Sequence, residues 1–214
     1  MWKTLIAVTL CGLVTGCAQM VRSQVSVFHE IPDGAKPTYT LLSFKEQESS
    51  LEHKTYENLV RQQLNAKGFR EVPLDQSDVI VFLQYGIDQG REATYSYPII
   101  GQTGTSSSYT TGTIQSYGGG YAIYSGTTRN TPTYGVVGTG VGSQTVYMRF
   151  LRVDLLDRPA LASGTVKKVF EGSVVSRGSS GQLSVVMPTM IRAFFEEFPG
   201  KSGSTRSVTL ARDQ

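Results

Sequence analysis

Apolar residues recur at helical spacing in the first half of the chain. They lie three or four positions apart at Tyr56, Leu59, Val60 and Leu64. Charged residues occupy the other face, so the pattern predicts an amphipathic helix over Ser50–Lys67. Ser49 and Glu52 fit a capping box at its start, and Gly68 follows where a left-handed C-terminal cap is expected.

A second helical pattern near the C-terminus is more strongly apolar. Its wide hydrophobic face consists of Val186, Met187, Met190, Ile191, Phe194, Phe195 and Phe198. Pro188 is tolerated in a first turn, where N–H groups have no partner within the helix, which puts the helix start near Ser184. Pro199 and Gly200 are expected to end it.

Five segments have the composition of β-strands: Gln24–Glu30, Thr38–Phe44, Val79–Leu83, Val146–Leu156 and Thr165–Ser176. The turn sequence Ile31-Pro32-Asp33-Gly34 predicts a hairpin of the first two. The third is continuously apolar, which indicates a central strand covered on both faces. The short link at Asp157-Arg158-Pro159 favours antiparallel pairing of the last two. The expected fold class is α+β, a mainly antiparallel sheet with two helices on one face and a long Gly/Ser/Thr/Tyr-rich hairpin or loop insertion.

The insertion, a low-complexity arm over residues 88–145, differs in composition from the rest of the chain. A two-residue alternation runs through residues 109–117 and resumes after Gly118-Gly119-Gly120, which predicts an extended hairpin with a glycine tip. A mobile loop is the alternative that this composition leaves open. A hairpin would expose strand edges and aromatic rings, and these favour added strands from a partner or from another copy. The candidate partner contacts are Tyr109, Tyr117, Tyr121 and Tyr124.

The N-terminal segment resembles the signal sequence of bacterial lipoproteins. Lys3 precedes the apolar run Leu5–Val14, and Val14-Thr15-Gly16-Cys17 resembles a lipobox. Ten residues of helix span about 15 Å, half of a bilayer core of about 30 Å, so a permanent span is not expected. The resemblance implies a lipoprotein signal peptide over residues 1–16, cleavage between the last two residues of this motif, and covalent lipid on Cys17.

Residues 17–23 would then form a lipidated tether. An ordinary secretory signal cut near Ala18 is the alternative. Lipoproteins with Asp after the cysteine tend to stay in the inner membrane, whereas Ala18 and Gln19 follow here, so the outer membrane, facing the periplasm, is expected. No disulfide is available, because Cys11 leaves with the signal and Cys17 carries lipid.

Charge and chemistry point away from nucleic acid and from catalysis. The formal net charge of +3 falls to +2 without Lys3, which is too small for a nucleic-acid footprint. His29 and His53 belong to no metal or catalytic motif, and His53 is expected to be exposed. No metal, no catalytic residue and no cofactor beyond the covalent lipid are predicted. Four acids at strand ends or turns are interpreted as backbone caps: Asp75, Asp78, Asp154 and Asp157.

An ordered set of short motifs resembles the bacterial envelope lipoprotein family of domain of unknown function 4136. The set is Lys67-Gly68-Phe69, Ser77-Asp78-Val79-Ile80-Val81, Asp154-Leu155-Leu156-Asp157 and Phe198-Pro199. The resemblance covers Gln24–Pro199. Many members carry an aromatic-basic-glycine step, for which this chain has Val169-Phe170-Glu171-Gly172 with the charge reversed. The family implies an envelope location and no established reaction. The expected domains are an α+β domain over 24–199 and a polar tail over 200–214, interpreted as frayed.

The expected function is that of a non-catalytic, outer-membrane-anchored lipoprotein acting as an envelope binding or scaffold module. Its partners would be the membrane, through the lipid anchor, and an envelope protein or polymer. Two alternatives stay open. One is an envelope hydrolase that uses Asp78 and Asp154 as paired acids with His29 as base. The other is an accessory for the assembly or export of envelope components.

Overall fold

The structure, a computed structural model, describes residues 19–117 and 121–212 of the chain. The chain divides into two compact units, a body formed by residues 19–91 and 146–212 and a hairpin formed by Glu92–Thr145. The predicted signal peptide, the cleavage site, Cys17 and the glycine tip at 118–120 lie outside the described residues.

Eight strands and three helices make up the described part of the chain. The strands are β1 (Met20–His29), β2 (Thr38–Leu41), β3 (Arg70–Glu71), β4 (Val79–Ile87), β5 (Arg91–Tyr117), β6 (Tyr121–Asp157), β7 (Lys168–Gly178) and β8 (Ser204–Ala211). The helices are α1 (Leu51–Ala66), α2 (Arg158–Ala162) and α3 (Leu183–Phe195), with a short 3-10 turn at Leu74–Gln76. The strand order is β3-β2-β4-β6-β7-β1-β8, and β5 pairs with β6.

The sheet is mixed, so the prediction of a mainly antiparallel sheet with two helices is wrong. β2 runs parallel to both β3 and β4, whereas the pairs along β4-β6-β7-β1-β8 are antiparallel. The parallel pairs follow from the connection, because α1 lies between β2 and β3 and a strand–helix–strand crossover returns the chain in the same direction.

The predicted hairpin of the first two strands is also wrong. A turn forms at the expected place, where the amide of Ala35 donates a hydrogen bond of 3.0 Å to the carbonyl of Pro32. The strands on either side nevertheless join different neighbours, because β1 lies between β7 and β8 and β2 lies between β3 and β4. A turn sequence sets a local change of direction and does not choose the partner strand.

The C-terminal segment is not the frayed tail that its polar sequence predicted. Ser204–Ala211 form β8, which pairs antiparallel with β1 along its whole length. Val208 is buried, while the residues on either side of it are exposed. Backbone hydrogen bonds to β1 therefore order a segment that buries little apolar surface of its own.

Helix α1 begins and ends within one residue of the predicted bounds. Ser50, and not Ser49, is its N-cap, because the Ser50 hydroxyl accepts a hydrogen bond of 3.1 Å from the amide of the third helical residue. Glu52 accepts a hydrogen bond from a tyrosine hydroxyl one turn later and does not complete the predicted box. Gly68 has a φ of +88°, which is the left-handed conformation expected after the helix.

Helix α2 is a further element that the prediction missed. The carboxylate of Asp157 caps it by accepting a hydrogen bond of 2.8 Å from the amide of Ala160. Pro159 lies in the first turn, where its missing N–H group would have had no helical partner. The helix is too short to show an amphipathic repeat, so the sequence alone indicates only a short link between two strands at this position.

The core of the body lies between one face of the sheet and helices α1 and α3. The inward-facing positions alternate along the strands and include Val25, Val27, Val81, Leu83, Leu151, Val153, Leu155 and Val174. The helices contribute Tyr56, Val60, Leu64, Met187, Met190, Ile191, Phe194 and Phe195. This confirms the apolar faces predicted for the two long helices.

Helix α3 approaches the sheet at Gly172 of β7. A Cβ atom at this position would lie 2.3 Å from Cε2 of Phe194 and 2.7 Å from Cε1 of Phe170. The rings of Phe170, Phe194 and Phe198 pack together with centroids 5.0 to 5.9 Å apart. Glycine is therefore required here because the aromatic ring of the helix occupies the space of a side chain.

We expect Gly172→Ala to lower the free energy of unfolding by about 1–3 kcal/mol, because the added methyl group must displace packed aromatic rings. Urea denaturation monitored by circular dichroism measures the change. Ser173→Ala is the matched control, since Ser173 follows on the same strand and lies on the opposite face of the sheet. Equal midpoints for the two variants would contradict this account of the packing.

Candidate functional site

The hairpin exposes apolar side chains along most of its length. Its large exposed hydrophobic residues are Tyr95, Tyr97, Ile99, Ile100, Tyr109, Ile114, Ile123, Tyr124, Tyr134, Val136, Val137 and Val141. β5 and β6 form the extended hairpin that was one of the two interpretations of this segment. An isolated two-stranded ribbon is marginally stable in water, because neither face is covered.

Aromatic rings on one strand of the hairpin lie against glycines on the other. A Cβ atom at Gly140 would lie 2.5 Å from Cζ of Tyr97, and one at Gly142 would lie 2.8 Å from Cζ of Tyr95. The ring of Tyr124 occupies the same space at Gly112, on the opposite strand. Rings of this kind shield the backbone of cross-strand glycines. The glycine and tyrosine content of the segment thus has a packing role within the hairpin.

Hydroxyl side chains add further links between the two strands. The hydroxyls of Thr110 and Thr128 are 2.8 Å apart, and the hydroxyl of Ser108 donates a hydrogen bond of 2.7 Å to the side chain of Asn130. These links join exposed side chains, so each contributes little on its own. Their repetition supports one register of the two strands.

The hairpin lacks the charges that usually protect strand edges. Between residues 92 and 145 the charged residues are Glu92 and Arg129, and there is no lysine. Pro98 and Pro132 each remove one backbone donor, but the remaining N–H and C=O groups of both outer edges have no neighbouring strand in the hairpin unit. Long edges with low charge accept an additional strand by backbone hydrogen bonding.

Two of the four predicted contact tyrosines have described side chains. Tyr109 is 69% exposed and Tyr124 is 58% exposed, which agrees with a surface position for both. The side chains of Tyr117 and Tyr121 lie outside the described part of the structure. Tyr95, Tyr97 and Tyr134 were not selected from the sequence, although the Tyr-Ser-Tyr spacing at residues 95–97 carries the same two-residue period.

The acids considered for a hydrolase do not share a cleft. Asp78 precedes β4 and accepts hydrogen bonds of 2.7 Å from both the amide and the hydroxyl of Thr38. Asp154 lies opposite Phe82, which is four residues further along β4, so the two backbones are roughly 13 Å apart along the strands. Asp154 forms an ion pair of 3.0 Å with Lys168. Each carboxylate is thus engaged by a neighbouring strand.

The two histidines occupy structural positions of different kinds. Nε2 of His29 lies 2.9 Å from the carbonyl of Gly200, and its ring stacks on Phe170. His29 is on the inner face of the sheet, because it pairs with Phe170, whereas Asp154 is on the outer face. His53 is 1% exposed, so the prediction of an exposed side chain is wrong. It stacks on a tyrosine of β4, and its Nε2 is 3.1 Å from Oε1 of Glu57.

The ordered motifs of the sequence agree with a known family. The sequence matches the family described as Domain of unknown function (DUF4136) over residues 29–200. This protein belongs to the DUF4136 family. The resemblance inferred from the motifs is confirmed, while the lipoprotein character stays a prediction.

No curated protein matches the sequence of this DUF4136 protein significantly. Among solved structures, it is similar to a PDZ domain protein from Parabacteroides distasonis ATCC 8503, with a TM-score of 0.49 and 10% sequence identity. The alignment covers 90% of this chain and 39% of that chain. The chain thus spans well under two thirds of the length of that protein.

The segment Val169-Phe170-Glu171-Gly172 has a packing role in this DUF4136 protein. Phe170 is buried among α3 aromatics, and Gly172 leaves room for Phe194. Glu171 is exposed and accepts a hydrogen bond of 2.5 Å from Nζ of Lys168. The aromatic and glycine positions therefore serve the contact between helix and sheet.

The described residues contain neither a metal site nor a membrane-spanning helix. Within residues 19–117 and 121–212, no three or more His, Cys, Asp or Glu side chains are arranged to hold a metal ion. None of the helices in that part of the DUF4136 protein has the length and apolar character needed to cross a membrane.

The role of Asp78 as a structural cap predicts a pH dependence of stability. Hydrogen bonds from the hydroxyl and amide of Thr38 hold the pKa of Asp78 below its usual range. A carboxyl group whose pKa is lower in the folded state stabilises the fold above its unfolded pKa, and this contribution is lost as the pH falls through the folded pKa. We expect Asp78→Ala to lower the free energy of unfolding at pH 7 by about 1 kcal/mol, a figure reduced for solvent screening at this exposed site.

The difference between wild type and Asp78→Ala should begin to shrink as the pH falls below about 4, where the carboxyl group of the unfolded chain takes up a proton. It should be lost as the pH falls through the lower pKa of the folded state. Urea titrations between pH 3 and pH 7 measure it. Asp75→Ala is the control, since Asp75 lies three residues earlier and its side chain has no hydrogen bond among the described residues. A pH-independent loss, or an equal loss in the control, would rule out the capping role.

Proposed function

We propose that this DUF4136 protein is a non-catalytic envelope lipoprotein, anchored to the outer membrane through lipid on Cys17 and facing the periplasm. Its body is a scaffold, and its hairpin binds an extended segment of another envelope protein. The observation that carries the proposal is the hairpin itself, a long ribbon with exposed apolar side chains and edges that no lysine protects.

Strand addition is the binding mode that these features favour. Backbone N–H and C=O groups along the edges of β5 and β6 supply hydrogen bonds that do not depend on the sequence of the partner. The exposed tyrosines supply large rings with few rotatable bonds, which lose little conformational entropy when they are buried. Burial of apolar area contributes about 25 cal/mol per Å², so an added strand would stabilise both partners.

The absence of a shared cleft among Asp78, Asp154 and His29 supports a binding role over the hydrolase alternative. A hydrolytic site needs an acid and a base within reach of one substrate bond. Here each of the three groups contacts a different strand or loop of the body, and these contacts are structural.

Hydrogen bonds between Asp88 and Met148 join the end of β4 to β6 within the body, which makes an excision experiment possible. The amide of Asp88 donates a hydrogen bond of 3.0 Å to the carbonyl of Met148, and the amide of Met148 donates one of 2.9 Å to the Asp88 carboxylate. Ile87 pairs with Arg149 just beyond this point. A short Asn-Gly turn between β4 and the body portion of β6 is therefore compatible with the register of the sheet.

We expect replacement of Glu92–Thr145 by an Asn-Gly turn to leave the body folded and to abolish capture of envelope proteins. Crosslinking in intact cells, followed by purification of the tagged chain and mass spectrometry, measures capture against the wild type. Thermal unfolding of the purified variant checks that the body is intact. Unchanged partners after excision would contradict the binding role. If excision removes only the crosslinks between copies of this chain, the occupant is a second copy, and the proposal is contradicted. Capture of a cell-wall polymer alone would also contradict it.

We expect Cys17→Ser to release the protein from the membrane fraction, because two or three acyl chains are needed for stable attachment and this cysteine would carry them. Mass spectrometry of the mature N-terminal peptide should show a lipidated Cys17 in the wild type. Cys11→Ser is the matched control and should leave processing and fractionation unchanged, since Cys11 lies within the predicted signal. An unmodified Cys17 in the wild type, or a terminus elsewhere, would contradict the anchor.

A further inference from the structure

The guanidinium group of Arg149 is buried in the body without a matching carboxylate. Arg149 is 3% exposed. It lies on β6, on the same inward-facing side of the strand as Leu151 and Val153. Its Nη1 donates a hydrogen bond of 3.2 Å to the carbonyl of Ser180, while its Nε has no partner. Among the described residues no acid lies within 4 Å of it. Burial of a cation without compensation is costly, so this arrangement requires an explanation.

Arg149 lines a small recess of about 120 Å³ together with other donors. Ser176 pairs with Arg149 across β6 and β7, and its buried hydroxyl also lacks a partner. Arg212 lines the same recess nearer the surface, where its Nη1 donates a hydrogen bond to the side chain of Gln19. The side chain of Arg177 instead donates to the sulfur of Met148, on the opposite face of the sheet. The guanidinium groups of Arg149 and Arg212 and the hydroxyl of Ser176 are the kind of donors from which an oxyanion accepts hydrogen bonds.

Helix α3 adds backbone donors beside these side chains. Gln182 is its N-cap and makes no side-chain capping hydrogen bond, so amide groups of the first turn are not satisfied by a cap. Val186, near the start of this helix, and Ser180, just before it, both line the recess. A helix N-terminus carries a partial positive charge and favours an anion.

The nearest acid offers partial compensation only. Asp88 acts on Arg149 from beyond ion-pair distance, and its influence opposes the lowering of the Arg149 pKa by burial. Its Oδ1 accepts hydrogen bonds from the backbone amides of Met148 and Gly90. Asp88 is therefore engaged with the backbone, and the recess keeps an excess of positive charge.

We propose that this recess binds a phosphoryl group, with Arg149 and Ser176 at its base and Arg212 at its rim. A tetrahedral oxyanion accepts hydrogen bonds from several directions, which suits donors that come from β6, β7, the start of α3 and the end of β8. The bound anion would supply the countercharge that the fold does not supply to Arg149.

The position of the recess favours a membrane phospholipid headgroup as the source of the phosphoryl group. Gln19 lines the recess and follows Cys17 by two residues, so at most about 7 Å of chain separates it from the proposed lipid attachment point. This choice of source rests on the proposed anchor, whereas the anion site does not. A soluble phosphate is the other source of the same chemistry.

The test uses the full-length chain in dodecyl maltoside micelles at constant ionic strength, with thermal unfolding as the readout. In the first arm inorganic phosphate replaces chloride. We expect a saturable rise in the unfolding midpoint of roughly 2–4 °C when phosphate reaches about five times its dissociation constant. In the second arm the micelles contain phosphatidylglycerol or, separately, phosphatidylcholine, without inorganic phosphate.

Arg149→Met should abolish the rise and leave the anion-free protein folded, because an apolar side chain of similar length relieves an unpaired buried charge. Arg152→Met is the matched control, since Arg152 lies on the same strand with an exposed side chain on the opposite face, and it should keep the rise. Arg212→Gln at the rim should weaken the response and does not endanger the core, which keeps the test valid if Arg149→Met unfolds.

A rise with phosphatidylglycerol that depends on Arg149 supports the headgroup, and a rise confined to inorganic phosphate supports a soluble anion. The site is overturned if neither arm produces a rise, or if Arg149→Met and Arg212→Gln both respond as the wild type does. A wrong anchor and a wrong anion site give different results. The mass of the N-terminal peptide shows whether Cys17 carries lipid, and the inorganic phosphate arm does not depend on lipidation.

Discussion

The contact of helix α3 with strand β7 is the interaction on which the rest of the body depends. The Phe194 ring fills the space above Gly172, and Phe170 and Phe198 close around it. This contact anchors the helix over the antiparallel part of the sheet, in which β1 and β6 flank β7. Because a protein interior is packed to crystal-like density, one absent Cβ atom decides how closely the helix can approach. The aromatic residue at Phe170 and the glycine at Gly172 thus have a direct physical reason.

The body and the hairpin use their polar groups in opposite ways. In the body, carboxylates and histidines bond to neighbouring strands and loops, as the bonds from Asp78 to Thr38 and from His29 to Gly200 illustrate. In the hairpin, the hydroxyls link β5 to β6 while the apolar rings stay exposed. The exposed apolar rings and the long strand edges that a partner could use therefore lie in the hairpin, where the proposed partner binds. Arg149 departs from this pattern in the body, since its charge is buried without an ion-pair partner among the described residues.

Buried polar groups without partners mark places where a fold is incomplete by itself. Ser176 and Arg149 face one another across β6 and β7 at the end of the sheet, next to the start of α3. Hydrophobic residues could fill the same positions at lower desolvation cost. A bound anion gives these residues a purpose that packing alone does not, and it would connect the body to a phosphorylated surface or solute.

Local sequence determined the elements whose signals are local. The apolar periods of α1 and α3, the glycine after α1 and the two-residue rhythm of the hairpin could all be interpreted without a structure, because periodicity and turn chemistry depend on residues close in the chain. The short motifs also sufficed for the family. Tertiary structure alone decided the pairing of β2 with β3 and β4, the addition of polar β8 to β1, the burial of His53 and the isolation of Arg149. Each of these depends on contacts between residues far apart in sequence, where backbone hydrogen bonding and packing select partners that no local pattern specifies.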